Sequence, residues 1–266
     1  MGASGPDRLT APGGAFGAWC TLGSPLPAEL MGRLEVAYVC LDLQHGVSGL
    51  ETAPQILQAI STTGAMPFVR VPGNEAWLIG RVLDLGARGV IVPLVSTPMA
   101  AAQAAQACRY PPEGTRSWGV VRSSDELGAT APERNAAVLC IVMIETVEGV
   151  ANLEAICATP GVDAVYVGPR DLALSHGLGP GPELEAVIAG IASTCRRLGV
   201  PAGIHTGSGE DARARVEAGF AFATIASDRD LLARAMRAEL ALALGREPVT
   251  GRAADEALLR AAASYL

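Results

Sequence analysis

The sequence predicts one (β/α)8 barrel, a TIM barrel, with an extra helix at its C-terminal end. The chain has 266 residues, close to the usual length of a single barrel of this kind. Half of these residues are hydrophobic, which is enough for a large core. Short apolar runs alternate with longer helical patterns eight times, which indicates parallel strands joined by helices. An open, doubly wound sheet is the alternative architecture.

The predicted strands are apolar runs without strict alternation, as expected when both faces of a parallel sheet are buried. In chain order they are Ala18–Leu22, Ala37–Asp42, Pro67–Val71, Gly89–Pro93, Val138–Glu145, Ala164–Val167, Ala202–His205 and Ala223–Ala226. The segments between them have helical patterns, and several end at a residue that favours helix termini, such as Gly199. These helices are Pro25–Arg33, Glu51–Thr62, Asn74–Leu85, Pro98–Ala107, Val150–Ala158, Pro182–Leu198, Ser208–Ala218 and Asp228–Leu244.

Three segments lie outside this repeat, although residues 1–266 are predicted to form a single domain. Residues 1–16 lack the basic and apolar regions of a signal peptide, so we expect a loose leader. The polar span 109–134 is long for a connection, and we expect it beside the active site. Residues 252–266 form an amphipathic pattern, which predicts a helix that docks on its own barrel or on a neighbouring subunit.

Composition excludes several classes of function. The formal net charge of −7 argues against nucleic acid or an anionic membrane as a partner. No apolar run is long enough to cross a bilayer. The six cysteines contain no C-x-x-C pair, so we interpret them as structural and expect a cytoplasmic protein.

The sequence contains no lysine, and all 20 basic residues are arginines. A Schiff-base aldolase or a pyridoxal phosphate enzyme needs a lysine amine as its covalent anchor. Both mechanisms are therefore excluded for this chain.

Polar residues follow several predicted strands, and a barrel gathers such residues at one mouth. They are Asp42, Gln44, His45, Arg70, Glu145 and Asp171. We predict that Glu145 and Asp171 bind Mg²⁺ or Mn²⁺, other divalent ions being possible, because carboxylates with open positions for water suit these ions. The alternative is that each carboxylate caps a helix or pairs with an arginine.

Three further features of the mouth have candidate roles. His45 is the candidate base, because its ordinary pKa lies near neutrality; a hydrogen-bonded loop histidine is the alternative, and His176 and His205 are expected to be structural. Arg70 would stabilise an enolate oxygen or bind a carboxylate, or else form a salt bridge to Asp42 or Glu145. The turn 168–171 offers free backbone N–H groups to a substrate carboxylate.

These residues lie in motifs that together resemble the HpcH/HpaI aldolase family, the metal-dependent class II pyruvate aldolases, over residues 17–230. The motifs are GAWCTL, LDLQHG, PFVRVP, VLDLGARGVIVP, RYPPEGTR, MIETVEGV and VGPRDLALS. The resemblance implies a homo-oligomer, a hexamer or else a trimer or dimer, with exchanged C-terminal helices. It also implies that Glu145 and Asp171 bind the metal and that His45 is the base.

The resemblance implies further roles for individual residues. Arg70 would steady the enolate oxygen, Asp84 would raise the basicity of His45, and Trp19 would line the acceptor side. The backbone of Gly168, Pro169, Arg170 and Asp171 would hold the pyruvate carboxylate. Two positions depart from the family pattern, since Met143 replaces a common glutamine and Arg170 replaces a small residue.

The expected activity is reversible cleavage of a 4-hydroxy-2-oxo acid to pyruvate, or a pyruvate analogue, and an aldehyde. The expected partners are therefore a small 2-oxo acid and an aldehyde. Decarboxylation of an oxaloacetate-like acid and cleavage of an acyl-CoA ester, as in citrate lyase β-type barrels, are alternative reactions of such a barrel. A silent barrel that only binds an oxoacid is the non-enzymatic alternative.

Overall fold

A computed structural model describes residues 9–10, 12–119, 122 and 128–247. In this part of the chain eight parallel strands form a closed barrel, in which each strand pairs with the next and β8 pairs with β1. The predicted (β/α)8 barrel is confirmed, and the open sheet is excluded.

The strands are β1 (Ala15–Cys20), β2 (Tyr38–Asp42), β3 (Met66–Arg70), β4 (Gly89–Val92), β5 (Leu139–Ile144), β6 (Ala164–Val167), β7 (Ala202–His205) and β8 (Phe222–Ser227). Over the described residues the helices are α1 (Pro25–Gly32), α2 (Ala53–Ser61), α3 (Ala76–Asp84), α4 (Pro98–Cys108), α5 (Ala131–Ala136), α6 (Val147–Ala151), α7 (Leu153–Cys157), α8 (Pro169–His176), α9 (Pro182–Leu198), α10 (Gly209–Glu217) and α11 (Asp228–Ala243). The eight predicted strands are all present, most with bounds shifted by one to three residues.

The barrel has two layers of core. Apolar side chains that point outward from the strands pack against the ring of helices. The lumen is filled by aromatic side chains, among them Tyr38, Phe68 and Phe222. A Cβ atom at Gly17, on the neighbouring strand, would lie 2.1 Å from the Tyr38 ring. Glycine on one strand therefore makes room for an aromatic ring on the next, and the lumen is a packed floor beneath the mouth.

Several predicted boundaries differ from the structure. The helix predicted at Val150–Ala158 is two short helices, α6 and α7, joined at Asn152, whose side-chain amide donates to the Ser96 carbonyl at 2.8 Å. Strand β1 begins at Ala15, inside the predicted leader 1–16, and Leu9 is buried in the lumen core. The leader is therefore predicted too long, because apolar residues near its end add to the barrel core. Residues 252–266 lie outside the described residues.

The described part of residues 109–134 does not lie beside the active site of its own chain, contrary to the prediction. It follows α4 and precedes β5, which places these residues at the N-terminal end of the barrel, opposite the mouth. Two of its arginines are anchored there: Arg109 pairs with Asp163 at 2.5 Å, and Arg116 with Asp84 at 2.7 Å. The length and polarity of this connection were visible in the sequence. The end of the barrel at which a connection lies, however, depends on whether it follows a strand or a helix.

All six cysteines are buried as free thiols, which confirms the structural interpretation of these residues. Over the described part of the chain, no helix has both the length and the apolar character that a membrane crossing requires.

Candidate active site

Asp42 organises the centre of the mouth. It is the last residue of β2 and is 1% exposed. Arg70, the last residue of β3, lies directly beside it in the sheet register. The guanidinium donates to both carboxylate oxygens, from Nε to Oδ1 at 2.9 Å and from Nη2 to Oδ2 at 2.6 Å. This bidentate pair fixes Arg70 in one orientation at the top of the lumen.

Asp42 and Arg70 each stabilise the charged form of the other. Burial alone would raise the pKa of Asp42, but the hydrogen bonds and the positive charge of Arg70 outweigh it and lower the pKa. Burial would likewise lower the pKa of Arg70, and Asp42 reverses the shift. The salt bridge to Asp42, one of the predicted alternatives for Arg70, is therefore present. Because Nη1 makes no hydrogen bond within the described residues, Arg70 keeps donors for a further anionic oxygen.

Trp19 lies beneath this pair. Its indole Nε1 donates to Asp42 Oδ2 at 3.1 Å, and the Arg70 guanidinium lies 5.1 Å from its ring centroid. Trp19 is 1% exposed. The expected role of lining the acceptor side is therefore not what the structure shows. Trp19 lies under the polar groups because β1 directs its side chain into the lumen.

His45 lies in a turn that Asp42 also holds. The backbone N–H groups of Gln44 and His45 donate to Asp42 Oδ1 at 3.1 Å and 3.2 Å. The imidazole is exposed at the mouth and makes no hydrogen bond within the described residues. The turn thus presents His45 beside the Asp42–Arg70 pair without fixing its ring.

Glu145 directly follows β5 and is 3% exposed. Its Oε1 accepts from the backbone N–H of Leu94 at 2.7 Å. Leu94 has a left-handed backbone with φ of 55°, which is uncommon for a residue other than glycine. Burial raises the pKa of Glu145; the Leu94 N–H opposes this shift, and the charge of Asp171 adds to it. Asp171, in the turn after β6, therefore lies near enough for its charge to act on Glu145.

Gly168 shapes the space around Glu145. It precedes α8, and a Cβ atom built on it would lie 2.6 Å from Glu145 Oε2 and 3.0 Å from Met143 Cε. Pro169 is the first residue of α8, and the N–H groups of Arg170 and Asp171 belong to the first turn, which has no carbonyl partners within the helix. Arg170 and Asp171 are both exposed at the mouth.

The donor set at the mouth fits a hard divalent cation. Two carboxylates interact there, and the nearby charge of Arg70 offsets that of Glu145 only in part, since Arg70 is itself paired to Asp42. Among the residues that the structure describes, no cluster of three His, Cys, Asp or Glu side chains could hold a metal. A site with only two carboxylate ligands leaves positions for water and substrate, which suits Mg²⁺ or Mn²⁺ better than a closed structural zinc site.

Asp84 does not lie near His45 in this chain. It is the last residue of α3, five residues before β4 begins, and accepts from Arg116 Nη2 at 2.7 Å. His45 follows the C-terminal end of β2, so the two residues lie at opposite ends of the barrel. The structure therefore does not bring Asp84 to His45 within one chain, since helix α3 carries Asp84 away from the mouth, and the role of Asp84 in raising the basicity of His45 stays a prediction.

Sequence reasoning missed one polar group of the mouth. His205, expected to be structural, ends β7 with its ring 4.9 Å from that of Trp19, in an edge-on arrangement. Its Nδ1 lies 3.3 Å from the hydroxyl of Tyr166. The position of His205 at a strand end was visible in the sequence. Its connection to Tyr166 was not, because nothing in the sequence distinguishes a tyrosine that points into the lumen.

Comparison with known proteins places this geometry in a family. Residues 15–235 match the model of the HpcH/HpaI aldolase/citrate lyase family. A 2-dehydro-3,6-dideoxy-6-sulfogluconate aldolase of Pseudomonas putida is 37% identical over 96% of this chain and 98% of its own length. A hydroxypyruvate/pyruvate aldolase of Rhizorhabdus wittichii is 36% identical over 85% of this chain and 93% of its own.

A solved structure agrees with these relatives. The crystal structure of an HpcH/HpaI aldolase/citrate lyase family protein from Burkholderia cenocepacia superposes with a TM-score of 0.78 at 35% identity. The match covers 88% of this chain and 96% of that one. Sequence and structure therefore agree over the whole barrel.

Proposed function

Since the chain belongs to the HpcH/HpaI aldolase/citrate lyase family, a family of aldolases, we propose that it is a divalent-metal-dependent aldolase. Its reaction is the reversible cleavage of a 4-hydroxy-2-oxo acid to pyruvate, or a pyruvate analogue, and an aldehyde. The names of two relatives support this substrate class, one being an aldolase of a 2-dehydro-3-deoxy sugar acid and the other a hydroxypyruvate/pyruvate aldolase.

The observation that carries the proposal is the position of Glu145 directly after β5 and of Asp171 in the turn after β6, at the same mouth as Arg70 at the end of β3. An aldol cleavage leaves the electrons of the broken C3–C4 bond on an enolate, whose oxygen needs positive charge. The chain has no lysine that could accept these electrons through an imine. A divalent cation held by Glu145 and Asp171 would supply Lewis acidity to the 2-oxo group.

The residues of the chain then have distinct tasks. Arg70, oriented by Asp42, donates from its remaining N–H groups to the enolate oxygen. The backbone N–H groups of Arg170 and Asp171, at the start of α8, bind the carboxylate of the oxo acid. His45 removes the proton of the 4-hydroxyl group during cleavage and returns a proton to the enolate carbon.

We also propose a compartment and an assembly for the enzyme. Six buried free thiols fit a reducing compartment, so the enzyme would act in the cytoplasm. We propose a homo-oligomer, because α11 keeps large apolar side chains on its surface; Leu232 is 64% exposed and Met236 is 63% exposed.

Exchange of the pyruvate methyl protons tests the proposal without knowledge of the aldehyde. Incubation of pyruvate with protein and Mn²⁺ in D2O should introduce deuterium at C3 faster than Mn²⁺ alone, as followed by NMR. Glu145→Ala should abolish exchange, and Arg70→Ala should slow it roughly 10²–10³-fold, the usual loss of one oxyanion donor. His45→Ala should slow it by about 10²–10⁴.

The matched control is Glu154→Ala, which removes a carboxylate on the outer helix α7 that pairs with Arg197. This variant should exchange as fast as the unmodified protein. Exhaustive chelation should stop exchange, and borohydride with pyruvate should leave the protein mass unchanged. Exchange that survives chelation would contradict the metal-dependent mechanism.

A further inference from the structure

A chain of hydroxyl groups crosses the lumen below His205. The Tyr38 hydroxyl lies 2.9 Å from Thr224 Oγ1, and Thr224 Oγ1 lies 2.6 Å from the Tyr166 hydroxyl. The Tyr166 hydroxyl lies 3.3 Å from His205 Nδ1. Burial raises the pKa of both tyrosines well above the usual value, so both hydroxyls keep their protons. The chain therefore consists of three proton donors and one imidazole.

Only one direction of this chain gives every hydroxyl proton an acceptor among the described residues. Tyr38 donates to Thr224, Thr224 donates to Tyr166, and Tyr166 donates to His205 Nδ1. In the reverse direction the Tyr38 proton would have no partner, and a buried donor without an acceptor is costly. The first direction makes Nδ1 an acceptor and places the ring proton of His205 on Nε2.

His205 is a neutral group in this position. Burial, together with the nearby positive charge of Arg70, lowers its pKa to about 4. Its Nε2 has no partner within the described residues and is not among the buried polar atoms that lack one, so it meets solvent at the mouth. The ring thus presents one fixed, uncharged N–H donor to whatever occupies the mouth.

The arrangement of strands indicates which half of a substrate this donor meets. The groups proposed to hold the oxo acid lie on β3, β5 and the turn after β6. His205 ends β7, between that turn and the strands β8 and β1, which carry none of these groups, and its ring packs edge-on against Trp19 of β1. An uncharged donor also suits a neutral oxygen better than an anionic one, for which the mouth has arginines.

We propose that His205 is a specificity-determining residue whose Nε2–H binds a hydroxyl group of the aldehyde half of the substrate. The inference rests on the proposed aldolase function and narrows it to hydroxylated aldehydes. Tyr166 is a positioning residue in this arrangement, because its hydroxyl selects the ring nitrogen that carries the proton.

Two aldehydes that differ by one hydroxyl group test the proposal. With pyruvate and Mn²⁺, kcat/KM is measured for glycolaldehyde and for acetaldehyde, and their ratio is compared between variants. His205→Phe keeps an aromatic ring against Trp19 but has no N–H, and should lower the ratio roughly 10- to 100-fold. His205→Gln places an amide N–H near the position of Nε2 and should retain most of the ratio. Tyr166→Phe should lower the ratio less than His205→Phe.

Deuterium exchange into pyruvate distinguishes this inference from the proposed function. Exchange uses only the oxo-acid half, so all three variants should exchange as fast as the unmodified protein. An unchanged ratio of kcat/KM for the two aldehydes in His205→Phe would overturn the assignment. A loss of exchange in His205→Gln would also overturn it, because it would place the histidine on the pyruvate half. Absence of exchange in the unmodified protein would refute the aldolase proposal itself.

Discussion

At the scale of single residues, Asp42 connects three parts of the mouth. Its two oxygens accept from Arg70, Trp19 and the backbone of the turn that carries His45. A buried carboxylate with this many donors is stable as an anion, and each donor is held by the same charge. Asp42 touches no reacting atom in the proposed mechanism, yet it determines where Arg70 and His45 lie.

Asp42→Asn should therefore destabilise the protein. The substitution keeps the shape of the side chain but leaves the buried Arg70 charge without its counter-ion, which typically costs about 3 kcal/mol or more. The free energy of unfolding from urea denaturation measures the loss. The control is Asp211→Asn, because Asp211 pairs with Arg215 on the surface and is 43% exposed; its loss should stay below roughly 1 kcal/mol. Equal losses in the two variants would contradict this account of Asp42.

Sequence reasoning predicted the residues at the strand ends but not how they pair. Glu145, Asp171, Arg70 and His45 were all located from the rule that a barrel collects polar residues at one mouth. The bond from the Leu94 N–H to Glu145 was not predictable, because it depends on a left-handed backbone at a leucine. That conformation is imposed by the tertiary structure and leaves no signal in residue type.

At the scale of elements, the turn between β6 and α8 controls the position of Glu145. Gly168 has φ of −101° and ψ of 91°, which an alanine can also adopt, so its backbone does not require glycine. The requirement comes from space, since a methyl group there would meet Glu145 Oε2 at 2.6 Å. The turn therefore places the start of α8 close against the carboxylate.

Gly168→Ala should displace Glu145 and reduce pyruvate exchange. A shift of about 1 Å in a positioned group can cost on the order of 10²-fold in rate. The exchange rate at C3, measured together with thermal unfolding, separates this effect from a loss of fold. Gly190→Ala is the control, because Gly190 lies in α9 with open space where its Cβ would be. It should leave exchange unchanged and slightly stabilise the helix; a similar loss of exchange in both variants would contradict the steric account.

Elements were predicted best where the hydrophobic pattern alone decides them. Strands β6 and β7 and helix α9 have the predicted bounds, because a long amphipathic helix and fully buried strands are unambiguous. Helix α8 was predicted only as a turn, since its sequence follows a Gly-Pro pair and is short. The described part of residues 109–134 was misplaced for a different reason, because composition does not say at which end of the barrel a connection lies.

At the scale of the whole molecule, the barrel core stabilises a mouth that is itself unfavourable. The lumen and the helix layer are packed with buried apolar side chains. The mouth, in contrast, brings Glu145 and Asp171 together while Glu145 is 3% exposed. Such strained arrangements are typical of functional sites and are tolerated because the remaining fold is stable enough.

This contrast predicts how pH and metal act on stability. The pKa of Glu145 is raised in the folded protein, so its contribution to stability is full below the unfolded-state pKa near 4.5 and is lost as pH rises through the folded pKa. At pH 7.5, well above the unfolded-state pKa, Glu145 therefore destabilises the metal-free protein. Glu145→Gln removes the charge and should raise the Tm of the metal-free protein at pH 7.5, but not at pH 4.

Divalent metal should act on the same charge. Mn²⁺ that binds the folded protein stabilises it by RT ln(1 + [L]/Kd), about 2.7 kcal/mol at 100 times the Kd. The unmodified protein should therefore gain Tm with Mn²⁺ at pH 7.5 and lose the gain at acid pH as Glu145 protonates, whereas Glu145→Gln should gain none. Differential scanning fluorimetry across pH and Mn²⁺ concentration measures both effects. A Glu145→Gln variant that is less stable than the unmodified protein without metal would show that Glu145 serves the fold. The reason is that an ionised structural carboxylate stabilises the fold by itself, whereas a metal ligand does so only when its cation is bound.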